Sequence, residues 1–248
     1  MESKPSKKKV TVRFENTVRQ VEETLQELGK EDKSDEDVEN EINDHSSDDG
    51  WDTDLETPPK DGGRALAKAL AKSTTVEKLD LQENSLGEDG VDCFAKMLLD
   101  NCYIKWVNLA GNMMSSSGAR AMGGVIAQNK YLQWLDLSFN NFVDKDAKPL
   151  AEGLKSNTNL EFLNLSQNSF CEAGGELIGP ALAENNSITE LNLSWNHLRL
   201  KGAIAICKGM KGNNSIKIID LSWNGFADEG AEAMREALKR TTHCWRWI

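Results

Sequence analysis

A curved α/β solenoid of 28-residue units, with parallel strands on its concave face and helices on its convex face, is the fold this sequence predicts. Three observations predict it. An asparagine closes the phrase LDLSFN at Asn140 and recurs at Asn84, Asn112, Asn168, Asn196 and Asn224, every step 28 residues, with no insertion. Each asparagine sits ninth in a stretch with apolar residues at relative positions 1, 4, 6 and 11, which in the third unit are Leu132, Leu135, Leu137 and Phe142. Each stretch is followed by an apolar pair four residues apart: Phe94/Leu98, Met122/Ile126, Leu150/Leu154, Ile178/Leu182, Ile206/Met210 and Met234/Leu238. A fixed period of this length marks stacked repeats. Alternation at positions 4 and 6 is the period of a strand, and the spacing of four puts each pair on one helix face. One strand and one helix per unit make neighbouring strands parallel. A helix is wider than the strand spacing, roughly 10 Å against about 4.8 Å, so the stack curves.

In chain order, residues 1–30 begin with Lys7-Lys8-Lys9 and continue to Val18, Val21, Leu25 and Leu28, whose spacing predicts a short amphipathic helix ending near Gly29. That helix either docks on the first repeat or folds on a partner. Residues 31–56 hold 13 acidic side chains against one Lys, too few apolar groups to offset ordering entropy, and are expected to be disordered. Within them, His45 to Glu56 resembles a calcium-binding EF-hand loop only in part, because His45 and a serine stand at ligand positions. Ser34, Ser46 and Ser47 precede acids as acid-directed phosphorylation sites do, although a solubilising tail with incidental serines accounts for them better.

The repeat domain spans residues 57–248 and opens with a helical half repeat carrying Leu66 and Leu70; its strand would fall near Trp51 and Thr53, where the pattern fits badly, so the solenoid is expected to begin at this helix. Six strand halves follow: Val76–Leu86, Ile104–Met114, Leu132–Phe142, Leu160–Phe170, Ile188–Leu198 and Ile216–Phe226. Polar turns bearing Gly90, Gly118, Gly174, Gly202 or Gly230 lead into the helices, and Asn101, Asn129, Asn157, Asn185 and Asn213 end them, as left-handed C-caps would. The final residues place Cys244 and Trp247 at the first and fourth positions of a seventh strand, with no polar capping repeat after them, which suits a truncated product or an end closed by a partner or a second copy.

Composition narrows the function. The net charge of −11 belongs almost wholly to residues 31–56, leaving the repeats nearly neutral, without the basic stripe of a nucleic-acid binder. Five cysteines share no repeat position and form no CxxC pair, as expected of reduced thiols in a cytoplasmic protein. No secretory signal or membrane span is apparent. The three histidines lie far apart and no phosphate-loop order occurs, so no metal, cofactor or catalytic group is expected and the chain reads as a non-enzyme.

The pattern LxxLxLxxNxL in 28-residue helix-bearing units resembles the ribonuclease-inhibitor class of leucine-rich repeats, which implies an intracellular protein-binding scaffold. The class includes GTPase-activating proteins for Ran, which act through an arginine on a loop beside the repeats. Arg64, Arg120 and Arg199 lie near comparable turns without a recognisable activating motif, which leaves this as the alternative reading. A partner protein of unidentified kind is therefore expected.

Strand register lists the concave columns. One reads Lys78, Trp106, Trp134, Phe162, Glu190, Ile218; the next Asp80, Asn108, Asp136, Asn164, Asn192, Asp220; a third Gln82, Ala110, Ser138, Ser166, Ser194, Ser222; and at the strand end, Glu83, Gly111, Phe139, Gln167, Trp195, Trp223. The candidate partner-binding residues are Trp106, Trp134, Phe162, Phe139, Trp195, Trp223, Asp136, Asn164, Asn192 and Asp220, with the four tryptophans as anchors. The aromatics are either exposed hot spots or cross-strand packing that only steadies the sheet. Asn84, Asn112, Asn140, Asn168, Asn196 and Asn224 are expected to be structural, satisfying the backbone of a buried bend.

Overall fold

The computed structural model describes residues 8–11, 60–238 and 246–247 of the 248-residue chain. The helix expected over Val18 to Leu28, the acidic segment 31–56 and its serines, and the stretch near Trp51 lie outside the described residues. Strands and helices alternate: β1 (Lys8–Thr11), α1 (Lys60–Lys72), β2 (Val76–Asp80), α2 (Gly87–Asp100), β3 (Trp106–Asn108), α3 (Ser116–Gln128), β4 (Trp134–Asp136) and α4 (Asp144–Ser156). They continue as β5 (Phe162–Asn164), α5 (Glu172–Glu184), β6 (Glu190–Asn192), α6 (Arg199–Gly212), β7 (Ile218–Asp220), α7 (Ala227–Leu238) and β8 (Arg246–Trp247).

All eight strands form one parallel sheet in sequence order. Pairing advances by one repeat at each step: Trp106 opposite Trp134, Leu135 opposite Leu163, Asn192 opposite Asp220. The chain is an α/β solenoid. The regular strands are only three residues long from β3 to β7, but the ladder runs past them. Leu109 N–H donates to Asp136 O at 2.9 Å and Gly111 N–H to Ser138 O at 3.0 Å, a pattern repeated in later units.

The sheet begins before the half repeat's helix, at β1, with Val10 opposite Leu79 and Thr11 opposite Asp80, so the solenoid does not start at that helix. β-Branched residues in KKVTV carry this strand preference. Its position escaped the repeat register because residues 12–59 separate it from α1. At the other end, β8 sets Trp247 opposite Ile219.

Between sheet and helices lies a single core. Leu79, Val107, Leu135, Leu137, Leu163 and Leu165 are fully buried beneath the strands, and Phe94, Phe142 and Phe170 join them in the core. A buried side chain of this size contributes about 1.5–3 kcal/mol. Phe142 and Phe170 meet with ring centroids 6.4 Å apart, so the position-11 aromatic joins consecutive repeats.

The glycines placed in turns by the sequence pattern lie inside the first helical turn instead. Gly118 is typical: a Cβ there would come within 2.9 Å of Met114 Cβ, so the absence of a side chain lets the helix start fold back on the position-11 residue. On the convex side α5 and α6 approach so closely that a Cβ on Gly209 would stand 2.0 Å from Gly179 O.

Two asparagine ladders clamp the stack. In the strand-end ladder, Asn140 Oδ1 accepts from the N–H groups of Asn112 and Met114 at 3.1 and 3.0 Å, while Nδ2 donates to Leu109 O, Leu137 O and Ser138 O. Asn112, Asn168, Asn196 and Asn224 make the same kind of bridge to the preceding unit, and all six ladder residues are buried.

The second ladder corrects an expectation. Asn101, Asn129, Asn157, Asn185 and Asn213 are extended, with φ between −72° and −91°, and are not left-handed caps. Their side chains perform the capping across repeats. Asn101 Nδ2 donates to Leu70 O at 2.8 Å, a carbonyl at the end of the preceding helix, and Asn101 Oδ1 accepts from Tyr103 and Ile104 N–H. Helix ends leave carbonyls without internal partners, and here the next repeat supplies the donor.

Candidate partner-binding face

The inward-facing residues separate into three groups. The first is the strand-start column. Trp106 and Trp134 stack with centroids 4.2 Å apart and planes 14° off parallel, and Trp134 and Phe162 at 4.6 Å and 4°. All three are half-buried. Equal spacing of parallel strands puts identical positions about 4.8 Å apart, so flat rings in one column stack face to face. These three therefore steady the sheet while presenting a band of ring edges.

The second group is the Asp/Asn column, whose oxygens are mostly engaged within the chain. Asp136, Asn164, Asn192 and Asp220 each accept through Oδ1 from the N–H two residues ahead, that of Ser138, Ser166, Ser194 or Ser222. Ser138 and Ser194 also donate a hydroxyl hydrogen bond to Asp136 and Asn192. Asn164 Nδ2 donates to Asp136 Oδ2 at 2.8 Å. Much of this column's polarity is spent closing the bend after each strand.

The third group is the strand-end column, and it differs in kind. Glu83, Gly111, Phe139, Gln167, Trp195 and Trp223 all have φ between 52° and 67°. The ladder imposes this left-handed backbone: each N–H except that of Trp223 donates to the next repeat's carbonyl, as Phe139 does to Ser166 O, and the following asparagine is clamped. For an L-residue it costs about 1–2 kcal/mol, which glycine, present at Gly111, escapes. Yet Phe139 is 62 % exposed, Trp195 50 % and Trp223 69 %. Trp195 and Trp223 stack at 4.5 Å and 16°. Bulky aromatics thus occupy a strained position where they add little to the core. Met113, one residue beyond Asn112, extends the rim with 62 % exposure, a residue the repeat columns did not single out.

Elsewhere acids tie one helix start to the next. Asp144 Oδ1 accepts from the N–H groups of Cys171 and Gly174 at 2.6 and 2.9 Å, and Ser115 donates its hydroxyl to Glu88, whose carboxyl is held below its ordinary range by that bond. Cys93, Cys102, Cys171 and Cys207 are free thiols; burial pushes Cys207 up to about 11. Arg64, Arg120 and Arg199 are exposed on α1, α3 and the start of α6, in different repeats. Among the described residues, no group of His, Cys, Asp and Glu is arranged to hold a metal, and no helix is long and apolar enough to cross a membrane.

Comparison with known proteins supports the fold. The leucine-rich repeat family matches residues 72–95, 128–151, 184–207 and 212–234, each match running from one helix end through the strand into the next helix. The fold is a leucine-rich-repeat solenoid. Among solved structures, leiomodin-1 actin-binding site 2 shares it with a TM-score of 0.52 and 20% identity, over 59% of this chain and 86% of that one. The tropomodulin C-terminal domain of Caenorhabditis elegans does so with a TM-score of 0.51 and 20% identity, over 60% of this chain and 92% of that one. No curated protein matches the chain. The family match includes the strand-end positions of Trp195 and Trp223, and the intervening units at Trp106 and Phe162 keep the same register through direct strand pairing.

Proposed function

We propose that this leucine-rich-repeat solenoid is a non-enzymatic, cytoplasmic scaffold that binds a partner protein on its concave face and strand-end rim. Its repeat phrases LNLSWNHLRLKGA and IDLSWNGFADEGA resemble those of leucine-rich repeat-containing protein 74 and its relatives. The observation that carries the proposal is the exposed, stacked pair Trp195 and Trp223, held on a strained backbone. Exposed aromatics bury much area for little entropy, the property of binding hot spots. The reading also has a precedent within the fold, since one structure that shares it is named for binding actin. Four unpaired thiols among the described cysteines suit a reducing compartment.

Within this reading the anchors are unequal. Trp195, Trp223 and Phe139 make the primary contact, and the half-buried stack of Trp106, Trp134 and Phe162 offers a secondary, flatter one. Asp136, Asn164, Asn192 and Asp220 contribute the acceptor and donor capacity their internal bonds leave over. The test is a paired pull-down from cell lysate read by mass spectrometry, using the wild-type chain and a folded variant with Trp106, Trp134, Trp195 and Trp223 changed to alanine. A protein retained by the first and lost by the second supports the proposal; identical recoveries, or none from either, overturn it.

A further inference from the structure

We propose that the ledge formed by Trp195, Trp223, Glu190 and Asp220 takes an arginine-bearing basic segment of the partner protein. The inference rests on the reading of the concave face and rim as the binding surface, and adds the chemistry of what docks there.

The aromatic half of the ledge is two nearly parallel indoles 4.5 Å apart. Trp195 covers one face of Trp223, and among the described residues no second ring covers the other, consistent with its 69 % exposure. An open indole face carries the negative end of the ring quadrupole and attracts a cation.

The acidic half lies on the strands that lead into these turns. The inward positions of the two units read Glu190, Asn192, Ser194, Trp195 and Ile218, Asp220, Ser222, Trp223, which include two carboxylates and no Lys or Arg. Neither carboxylate forms an ion pair among the residues whose side chains are described, 63–236. Asp136 shows the contrast: Ser138 engages its Oδ1 and Asn164 its Oδ2. Asp220 accepts from Ser222 N–H through Oδ1 at 2.9 Å, which leaves Oδ2 available. Across the inward columns Asp80, Glu83, Asp136, Glu190 and Asp220 outnumber Lys9, Lys78 and Arg246, the last of which stands opposite Ile218 on β8, so the face is net acidic. Charge complementarity therefore selects a basic occupant. Arginine fits better than lysine because its planar guanidinium stacks on a ring and still directs N–H groups sideways to a carboxylate.

The full-length chain is tested by fluorescence anisotropy, at about 150 mM salt, with short fluorescein-labelled peptides of Arg-Gly-Gly repeats and matched Lys-Gly-Gly and Gln-Gly-Gly peptides. Two variants are compared with wild type: W195A/W223A, and the near-isosteric E190Q/D220N, which keeps the folded surface. Circular dichroism verifies both. The arginine peptide binds wild type, weakens at least about tenfold in each variant, exceeds the lysine peptide in affinity, and the glutamine peptide does not bind. Equal affinity for wild type and either variant overturns the inference and transfers the attraction to the acidic residues 31–56; so does a wild-type chain that ignores the arginine peptide. If the pull-down partner is lost by W195A/W223A and kept by E190Q/D220N, the binding face stands and the basic occupant falls.

Discussion

Replacing Asn140 by alanine isolates what one rung of the strand-end ladder contributes. The carboxamide makes five hydrogen bonds at a site only 6 % exposed. Two of its carbonyl partners keep another donor, Leu137 O from Asn168 Nδ2 and Ser138 O from Gly111 N–H. The N–H groups of Asn112 and Met114 and the carbonyl of Leu109 are left without one. Each orphaned buried group costs about 1–3 kcal/mol, so the loss is about 3 kcal/mol even where water admitted to the turn restores part of it. For a domain of this size that lowers Tm by about 6–12 °C. Asn141→Ala is the internal control, because Asn141 is exposed and only its backbone N–H is engaged, with Met114 O; its effect stays within about 0.5 kcal/mol. Thermal melts followed by circular dichroism read both. An Asn140→Ala melt that overlays wild type refutes the ladder as a structural clamp.

Three further outcomes follow from the same geometry. Gly209→Ala forces a methyl against Gly179 O on the convex side and destabilises by about 1–3 kcal/mol or more in urea unfolding, although it touches neither strand nor rim. Trp134→Ala removes two ring stacks and costs at least about 1–3 kcal/mol, whereas Trp223→Ala removes one from an exposed side chain and costs less, in the same assay. Cys207, with its thiol pushed up to about 11, resists iodoacetamide at pH 8 while exposed Cys102 is alkylated, as peptide mass mapping will show. Since the folded value lies above the unfolded one, the stability from burying that neutral thiol is complete below about pH 8.5 and is lost as the pH rises towards 11.

The repeat register is legible in the sequence because the period is unbroken: one asparagine every 28 residues fixes every strand partner and the identity of each inward column. Contacts that cross repeats are less legible, since they depend on how two copies meet. By sequence Asn101 reads as a cap for its own helix, and the structure turns it to the carbonyls of the helix before. β1 pairs with a strand that begins only at Val76, a relation no local pattern encodes. On the concave face, the sequence shows which columns carry aromatics but not which aromatics are free. Backbone conformation decides that. The strand-start rings stand on regular strand and stack into half-buried rows, whereas the left-handed strand-end positions carry Phe139, Trp195 and Trp223 exposed.

The most direct test of the central claim is a calorimetric titration of the captured partner against the wild-type chain, W195A/W223A and W106A/W134A. With all three folded, the rim variant loses affinity by about thirtyfold or more, a hot-spot loss of at least ~2 kcal/mol, and the strand-start variant loses less. A rim variant that binds its partner as tightly as wild type contradicts the claim.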